Sequence, residues 1–305
     1  MKVFVTGATG FIGSLVVTEL RQRGHEVMGL ARSDTSAAAL RQQGVEVVYG
    51  SLEDTEILAT AARACDGVIH TAFIHDFSNF AHSVAVDRAA VQAMGEALKG
   101  SHKPFVIASG TAMLSYQGRP ALESDRMKAE DFPRAPTELY LLDLAEQGVR
   151  SSSVRLPPSV HDATAHGFIP SLIEIARKRG VAGYIGSGEN CWPAVHRKDA
   201  AKVFCLALEK GQPGTAYHAV ADEGIPTKEL ASLMGAHLSL PVVSVPAEKA
   251  AEHFDWLGHF FAMHNPASSA FTRETLGWEP VEYSLRNGLT RDDYYPEKGT
   301  LALSD

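Results

Sequence analysis

Short runs of β-branched and apolar residues alternate with amphipathic stretches through the first hundred or so residues, the pattern of a parallel sheet covered on both faces by helices. KVFVT (2–6) reads as the first strand, and Ile12, Leu15, Val16 and Leu20 at helical spacing predict a helix over about 12–24 that Gly24 closes. HEVMGLA (25–31) and VEVVY (45–49) are the next two strands, with the short helix SAAALRQQG between them. A helix at about 54–64 leads to a fourth strand, DGVIHTA (66–72), and a long Ala-rich segment at about 82–99 precedes a fifth, PFVIAS (104–109).

Beyond residue 110, Pro120, Pro133 and Pro136 crowd the stretch that should carry the next helix, so its clearest portion is ELYLLDLAEQG (138–148). SSSVRLPPSV follows as a strand ending in two prolines. Helices are then expected at about 168–179, 198–210, 226–237 and 247–257, with strands at TAYHAV (215–220) and VVSV (242–245). The whole reads as an α/β protein with a doubly wound parallel sheet and a smaller C-terminal lobe. Residues 1–160 with about 194–222 would form the sheet domain, and about 161–193 with 223–305 the smaller lobe.

Composition narrows the function. With 45% hydrophobic and 21% charged residues in 305, there is material for a full core. The net charge of −8, from 28 basic and 36 acidic residues with no basic stripe, argues against nucleic acid as a partner. No run of about 18 apolar residues suits a membrane span, and the N-terminus lacks the apolar stretch of a signal peptide. Cys65, Cys191 and Cys205 lie far apart with no metal-ligand spacing. A cytoplasmic, metal-free protein in a reducing compartment is the expectation.

Thr6-Gly7-Ala8-Thr9-Gly10-Phe11-Ile12-Gly13 follows the first strand directly and opens the first helix, the context that a dinucleotide-binding turn requires. Gly7 permits the tight turn, Gly10 removes the Cβ that would bar a diphosphate from the helix N-terminus, and Gly13 lets helix and strand pack closely. A plain strand-to-helix turn does not need three glycines so spaced. With its G-x-x-G-x-x-G spacing, the chain resembles the short-chain dehydrogenase/reductase superfamily, in its extended or atypical, NAD-dependent epimerase/dehydratase-like branch. Further segments carry the likeness: HTAF (70–73), IASGTA (107–112), VRLPPSV (154–160), AVHRKDAA (194–201) and TRETLGWEP (272–280). The resemblance implies a Rossmann-type fold and a nicotinamide dinucleotide held along the loop from Gly7 and Thr9 through Gly10, Phe11 and Ile12 to Gly13.

A carboxylate ending the second strand would bond the adenosine 2′-hydroxyl and repel a 2′-phosphate; here Ala31-Arg32-Ser33 stands instead. A guanidinium forks onto phosphate and a serine hydroxyl assists, so NADP is preferred to NAD, although Asp34 lies nearby and a solvated surface arginine is the plain alternative. The resemblance further implies that Leu52 lines the adenine, with Ser51 in place of the usual acid. It also implies that Thr71, Ala72 and Phe73 run past the riboses and that Pro157, Pro158, Ser159 and Val160 meet the nicotinamide.

Relatives of this kind use a Tyr and a Lys four residues later, with a Ser or Thr after the fifth strand. The ammonium lowers a phenol pKa so that it can exchange a proton near neutrality. Ser109 and Thr111 stand at the hydroxyl position, where they would otherwise cap backbone groups. No Tyr-x-x-x-Lys stands between the fifth strand and VRLPP: Tyr140 is followed by Leu141, Leu142, Asp143 and Leu144, and the expected positions fall on Glu130 and Arg134. Glu130 as acid with Arg134 on the ribose competes with a simple surface ion pair between them. Tyr116 is a further candidate donor, as are His70, His75, His161 and His196 by intrinsic pKa. For His196 a structural hydrogen bond is favoured, and Asp199 is expected to cap the helix after it. Trp192, Phe254, Trp256, Phe260, Phe261 and Met263 form either an apolar substrate pocket or the core of the second lobe.

Three readings follow: an NADP(H)-dependent reductase of a hydrophobic carbonyl compound or activated double bond, a non-catalytic NADP(H) sensor, and an epimerase or dehydratase. The resemblance also implies a homodimer through about 82–99 and 137–148, whose Ala-rich faces would equally suit internal packing.

Overall fold

The computed structural model describes residues 1–76, 79–114, 118–164 and 166–296. Strands β1 (Lys2–Thr6), β2 (Glu26–Ala31), β3 (Glu46–Tyr49), β4 (Gly67–His70), β5 (Pro104–Gly110) and β6 (Arg150–Leu156) alternate with helices α1 (Gly13–Gln22), α2 (Asp34–Gln42), α3 (Thr55–Ala64), α4 (Phe80–Leu98) and α5 (Ala135–Asp143). After them come β7 (Ser159–His161), α6 (Phe168–Arg179), β8 (Ala182–Ile185), β9 (Cys191–His196), α7 (Arg197–Lys210), β10 (Thr215–His218), β11 (Asp222–Pro226), α8 (Thr227–Leu238) and β12 (Val242–Val245). Short helices α9 (Ala250–Phe254), α10 (Gly258–Phe261), α11 (Ala270–Leu276) and α12 (Leu285–Gly288) complete the described chain.

Seven strands form one parallel sheet in the order β10-β6-β5-β4-β1-β2-β3. Because successive residues of a strand face opposite ways, Val3 and Val5 pack with α1 and α7 on one face. Phe4, Val68, Phe105 and Ile107 pack with α3, α4 and α5 on the other. The order reverses between β1 and β4, which opens a crevice at the carboxyl ends of the strands. This is the Rossmann-type α/β fold read from the sequence pattern.

Several elements depart from expectation. Helix α5 begins at Ala135 because Pro136 sits in the first turn, where its missing N–H has no partner to lose. It ends at Asp143 and runs on as a 3₁₀ turn. The single strand expected over SSSVRLPPSV divides: β6 stops at Leu156, and after the two prolines β7 joins β9 and β11 in a second sheet. The helix expected at 247–257 is broken into short pieces around Asp255, whose φ of +51° is left-handed.

Most of the aromatic group of the second lobe is core. Trp192, Phe254 and Phe261 are buried together with Ile169, Leu230 and Leu257, while Trp256 is 49% exposed. On the other lobe the Ala-rich helix α4 packs inside the chain between α3 and α5. A Cβ on Gly95 would lie 2.7 Å from Leu144 Cδ1, so that face of α4 is already in contact with α5 and the turn that follows it.

Asp199 does not cap α7. His196 is the N-cap, its ring accepting from the Lys198 amide at 3.3 Å, which bears out a structural role for that histidine. The fully buried Asp199 carboxylate instead accepts from the amides of Val281 and Glu282 at 3.0 and 2.9 Å, and its carbonyl accepts from Trp278 Nε1. One aspartate thus ties the 278–282 segment onto the sheet domain. Asp199→Ala is expected to cost about 2 kcal/mol, since two backbone amides lose a charged, fully buried acceptor. Hydrogen exchange at Val281 and Glu282 checks it; unchanged protection there would dismiss the tie.

Candidate dinucleotide site and its cleft

The glycine loop rises from β1 at the crevice. Gly7 has φ +69°, and a Cβ there would lie 2.7 Å from the Ala72 amide nitrogen. Gly13 packs so tightly beneath the loop that a Cβ would lie 2.0 Å from the Gly7 carbonyl oxygen. At Gly10 the same added carbon meets only that oxygen, at 3.1 Å. Helix α1 has no side-chain cap, and the N–H groups of Phe11 and Ile12 have no partner among the described residues. Unsatisfied amides at a helix start, beside a glycine that leaves the approach open, are what a diphosphate needs.

Arg197, at the start of α7, was not foreseen as part of this site. Its guanidinium lies over the Phe11 ring at 4.8 Å, donates to the Phe11 carbonyl at 3.1 Å and pairs with Asp162, while the His166 ring stacks on Phe11 with centroids 5.0 Å apart. It adds positive charge to the loop from a segment 186 residues away.

At the end of β2, Arg32 is exposed and makes no hydrogen bond or ion pair among the described residues. Ser33 caps α2: its hydroxyl accepts from the Ser36 amide at 3.2 Å. Asp34 accepts from the Tyr49 hydroxyl at 3.0 Å, which draws its carboxylate toward β3. Leu52 is buried against Phe4 and Leu58. Ser51 is engaged by Asp54, whose Oδ2 accepts from both its amide and its hydroxyl.

The floor of the cleft is charged. His70 ends β4, with its Nδ1 2.7 Å from Thr6 Oγ1 and its Nε2 3.3 Å from Asp87 Oδ1. Arg134, just before α5, donates from Nε and Nη2 to Asp87 at 3.3 and 3.4 Å and from Nη2 to the Ala108 carbonyl at 3.3 Å. Its guanidinium lies 4.2 Å from the Phe73 ring centroid. Burial alone would raise the Asp87 carboxyl, but the His70 hydrogen bond and the Arg134 charge outweigh it and hold the group below its ordinary value. Asp87 lay outside sequence reasoning because a lone acid on an Ala-rich helix carries no motif.

The other candidates separate. Thr111 is buried and donates to Asn265 Oδ1 at 2.8 Å, so its hydroxyl joins the lobes. Ser109 is 6% exposed and its hydroxyl has no hydrogen-bond partner among the described residues. Glu130 is exposed on a turn, and the surface pair expected with Arg134 is replaced by the Asp87 contact. Tyr116 lies outside the described residues. Thr71 donates to the Thr6 carbonyl at 2.9 Å, and Ala72 and Phe73 continue along the cleft, half-buried. Pro157 is buried and Val160 half-buried at the turn into the second sheet.

Residues 3–220 match the model of the NAD dependent epimerase/dehydratase family. The chain belongs to that family. An uncharacterized protein of Schizosaccharomyces pombe is 48% identical over 97% of this chain and 100% of its own. A 2-alkyl-3-oxoalkanoate reductase of Stenotrophomonas maltophilia is 28% identical over 80% of this chain and 77% of its own. Among solved structures, a dTDP-glucose 4,6-dehydratase of Streptomyces venezuelae with NAD bound superposes with a TM-score of 0.77 at 20% identity, covering 98% of each chain. As an epimerase/dehydratase-family member, the chain carries the family's nucleotide loop. Between β5 and β6 its sequence has no Tyr-x-x-x-Lys; the one such spacing in the chain, Tyr294 to Lys298, falls near its end. No helix among the described residues is long and apolar enough to cross a membrane.

Proposed function

We propose that this epimerase/dehydratase-family chain is an NADP(H)-dependent oxidoreductase that reduces a carbonyl or activated double bond of a hydrophobic small molecule. The observation that carries the reading is the pair of unpartnered amides at Phe11 and Ile12 beside the open approach over Gly10. When bound, the dinucleotide supplies hydride from its nicotinamide ring. Gly7, Thr9, Gly10, Phe11, Ile12 and Gly13 hold its diphosphate, with Arg197 above them. Leu52 would lie against the adenine, Thr71, Ala72 and Phe73 along the riboses, and Pro157 and Val160 toward the nicotinamide. Ser109 orients the substrate oxygen. Phe73, Phe80 and Phe132, whose ring centroids are spaced 6.0 and 6.1 Å apart, support an apolar substrate.

Arg32 decides the cofactor. It is exposed with no partner among the described residues, while the one nearby acid, Asp34, is engaged by Tyr49. Arg32→Glu is expected to weaken NADPH about 100-fold, about 2.7 kcal/mol, and to leave NADH nearly unchanged. Isothermal calorimetry with both reduced dinucleotides checks this; equal losses for the two would remove Arg32 from recognition. Turnover is tested with a panel of enones, aryl ketones and aldehydes by following NADPH absorbance. Tight binding with no turnover of any of them would turn the reading toward a nucleotide sensor.

A further inference from the structure

Strand alternation sets which groups meet at the cleft. Phe105 and Ile107 of β5 pack in the cluster with α4 and α5, so Ser109, two residues on, faces the same side. His70 pairs in register with Ile107 and faces that side too, toward Asp87 of α4. Arg134 closes the arrangement from the start of α5, where its Nη2 reaches the carbonyl of Ala108, the residue before Ser109.

A guanidinium has five N–H groups. Arg134 uses Nε and Nη2 on Asp87 and Ala108, and Nη1 makes no hydrogen bond among the described residues. The Ser109 hydroxyl is buried and also lacks a partner, which a native fold tolerates where a ligand completes the bond. Asp87, ionised and anchored by His70, holds the guanidinium over the Phe73 ring, 4.2 Å from its centroid. Phe80 and Phe132 extend the same aromatic surface.

We infer that Arg134 Nη1 and Ser109 Oγ form a binding pair for a delocalised oxyanion, so that the substrate is a conjugated carbonyl compound rather than an isolated ketone. The chemistry follows from the side chains. Arginine remains protonated at working pH, so it stabilises negative charge on oxygen without handing over a proton. An isolated alkoxide requires a proton as it forms; an enolate or phenolate spreads its charge and waits for solvent. In such a reduction, hydride from the reduced dinucleotide of the proposed function forms the new C–H bond at the far carbon of the conjugated system. The C=C π bond shifts toward the carbonyl, whose own π pair becomes the oxyanion that Arg134 and Ser109 hold. Water then protonates the α-carbon, and the dinucleotide leaves oxidised by two electrons. The step rests on the proposed reductase function, whereas the oxyanion pair itself is testable without any dinucleotide.

The probe is 4-nitrophenol, whose phenolate is yellow. Titrated from pH 5 to 9 with the dinucleotide-free protein in excess, it is expected to bind at least about tenfold more tightly as phenolate than as phenol, so its ionisation moves down by about one pH unit. Ser109→Ala is expected to weaken phenolate binding several-fold without disturbing the fold. Because Arg134→Gln alone leaves the buried Asp87 carboxylate without its guanidinium partner, the informative variant is Asp87→Asn with Arg134→Gln, which is expected to lose the preference for the charged form. No binding to the native protein, a preference for neutral phenol, or phenolate binding unchanged in both variants would overturn the pair. Calorimetry with NADPH on the same samples keeps the two ideas apart. Absence of heat with phenolate binding intact defeats the reductase reading alone; NADPH binding with no phenolate preference defeats the pair alone.

Discussion

Gly13→Ala is expected to lower stability by about 4 kcal/mol or more and to abolish dinucleotide binding, the largest effect of any single methyl group in this chain. The added carbon would lie 2.0 Å from the Gly7 carbonyl oxygen and 2.7 Å from Thr71 Oγ1. Neither neighbour can yield: the carbonyl belongs to a turn held at φ +69°, and the Thr71 hydroxyl is bonded to the end of β1. Gly10→Ala is the matched control. Its Cβ would meet only the Gly7 oxygen, at 3.1 Å, so stability should change by less than about 1 kcal/mol. Dinucleotide affinity should nevertheless fall at least about 100-fold, because the methyl occupies the approach to the amides of Phe11 and Ile12. Urea unfolding and calorimetry on both variants separate a glycine needed for packing from one needed for a ligand. Tight dinucleotide binding by Gly10→Ala would place the diphosphate elsewhere.

Acid should weaken the fold well before its carboxylates protonate. His161 and His218 are 1% and 0% exposed, and burial pushes both from 6.5 down to about 3, with His196 adding to the effect on His161 and Arg155 to that on His218. A histidine held neutral in the fold takes up its proton only on unfolding. Its contribution is therefore complete above the unfolded pKa and is lost as pH falls from about 6.5 toward about 3. Between pH 7 and pH 5 the loss comes to about 2 kcal/mol per histidine, or about 4 kcal/mol for the pair. His196, also lowered by burial, acts in the same direction. Asp87 belongs to a different window: its carboxyl is held low, so its contribution disappears only below about pH 4. Unfolding free energies from urea titrations at pH 7 and pH 5 should fall steeply in the native chain. They should fall by about 4 kcal/mol less in the His161→Gln, His218→Asn double variant, where neither proton-binding site remains. A native chain equally stable at both pH values would contradict the burial of these rings.

Much of the sheet was legible along the chain because each strand and helix of a βαβ unit buries a face of its own, and that face has a period. Val3 and Val5, or Leu15 and Val16, announce their partners through spacing alone. The glycine loop was legible for a related reason: its demands are on the backbone, and Gly7, Gly10 and Gly13 are adjacent in sequence as well as in space. The division of SSSVRLPPSV between two sheets was not, since a proline pair stops pairing without saying what the chain pairs with next.

The cleft chemistry belonged to tertiary structure. Asp87, Ser109 and Arg134 come from α4, β5 and the turn before α5, and nothing in their spacing relates them. Arg134 was placed by counting against a family pattern, but its pairing with a buried aspartate in place of Glu130 depends on how two helices pack over the sheet. Thr111 and Ser109 were indistinguishable as hydroxyls after a strand until Asn265, 154 residues from Thr111, claimed one of them. A local backbone requirement leaves its mark on consecutive residues, whereas a charge or a hydroxyl acquires its role from whichever partner the folded chain brings within hydrogen-bond reach.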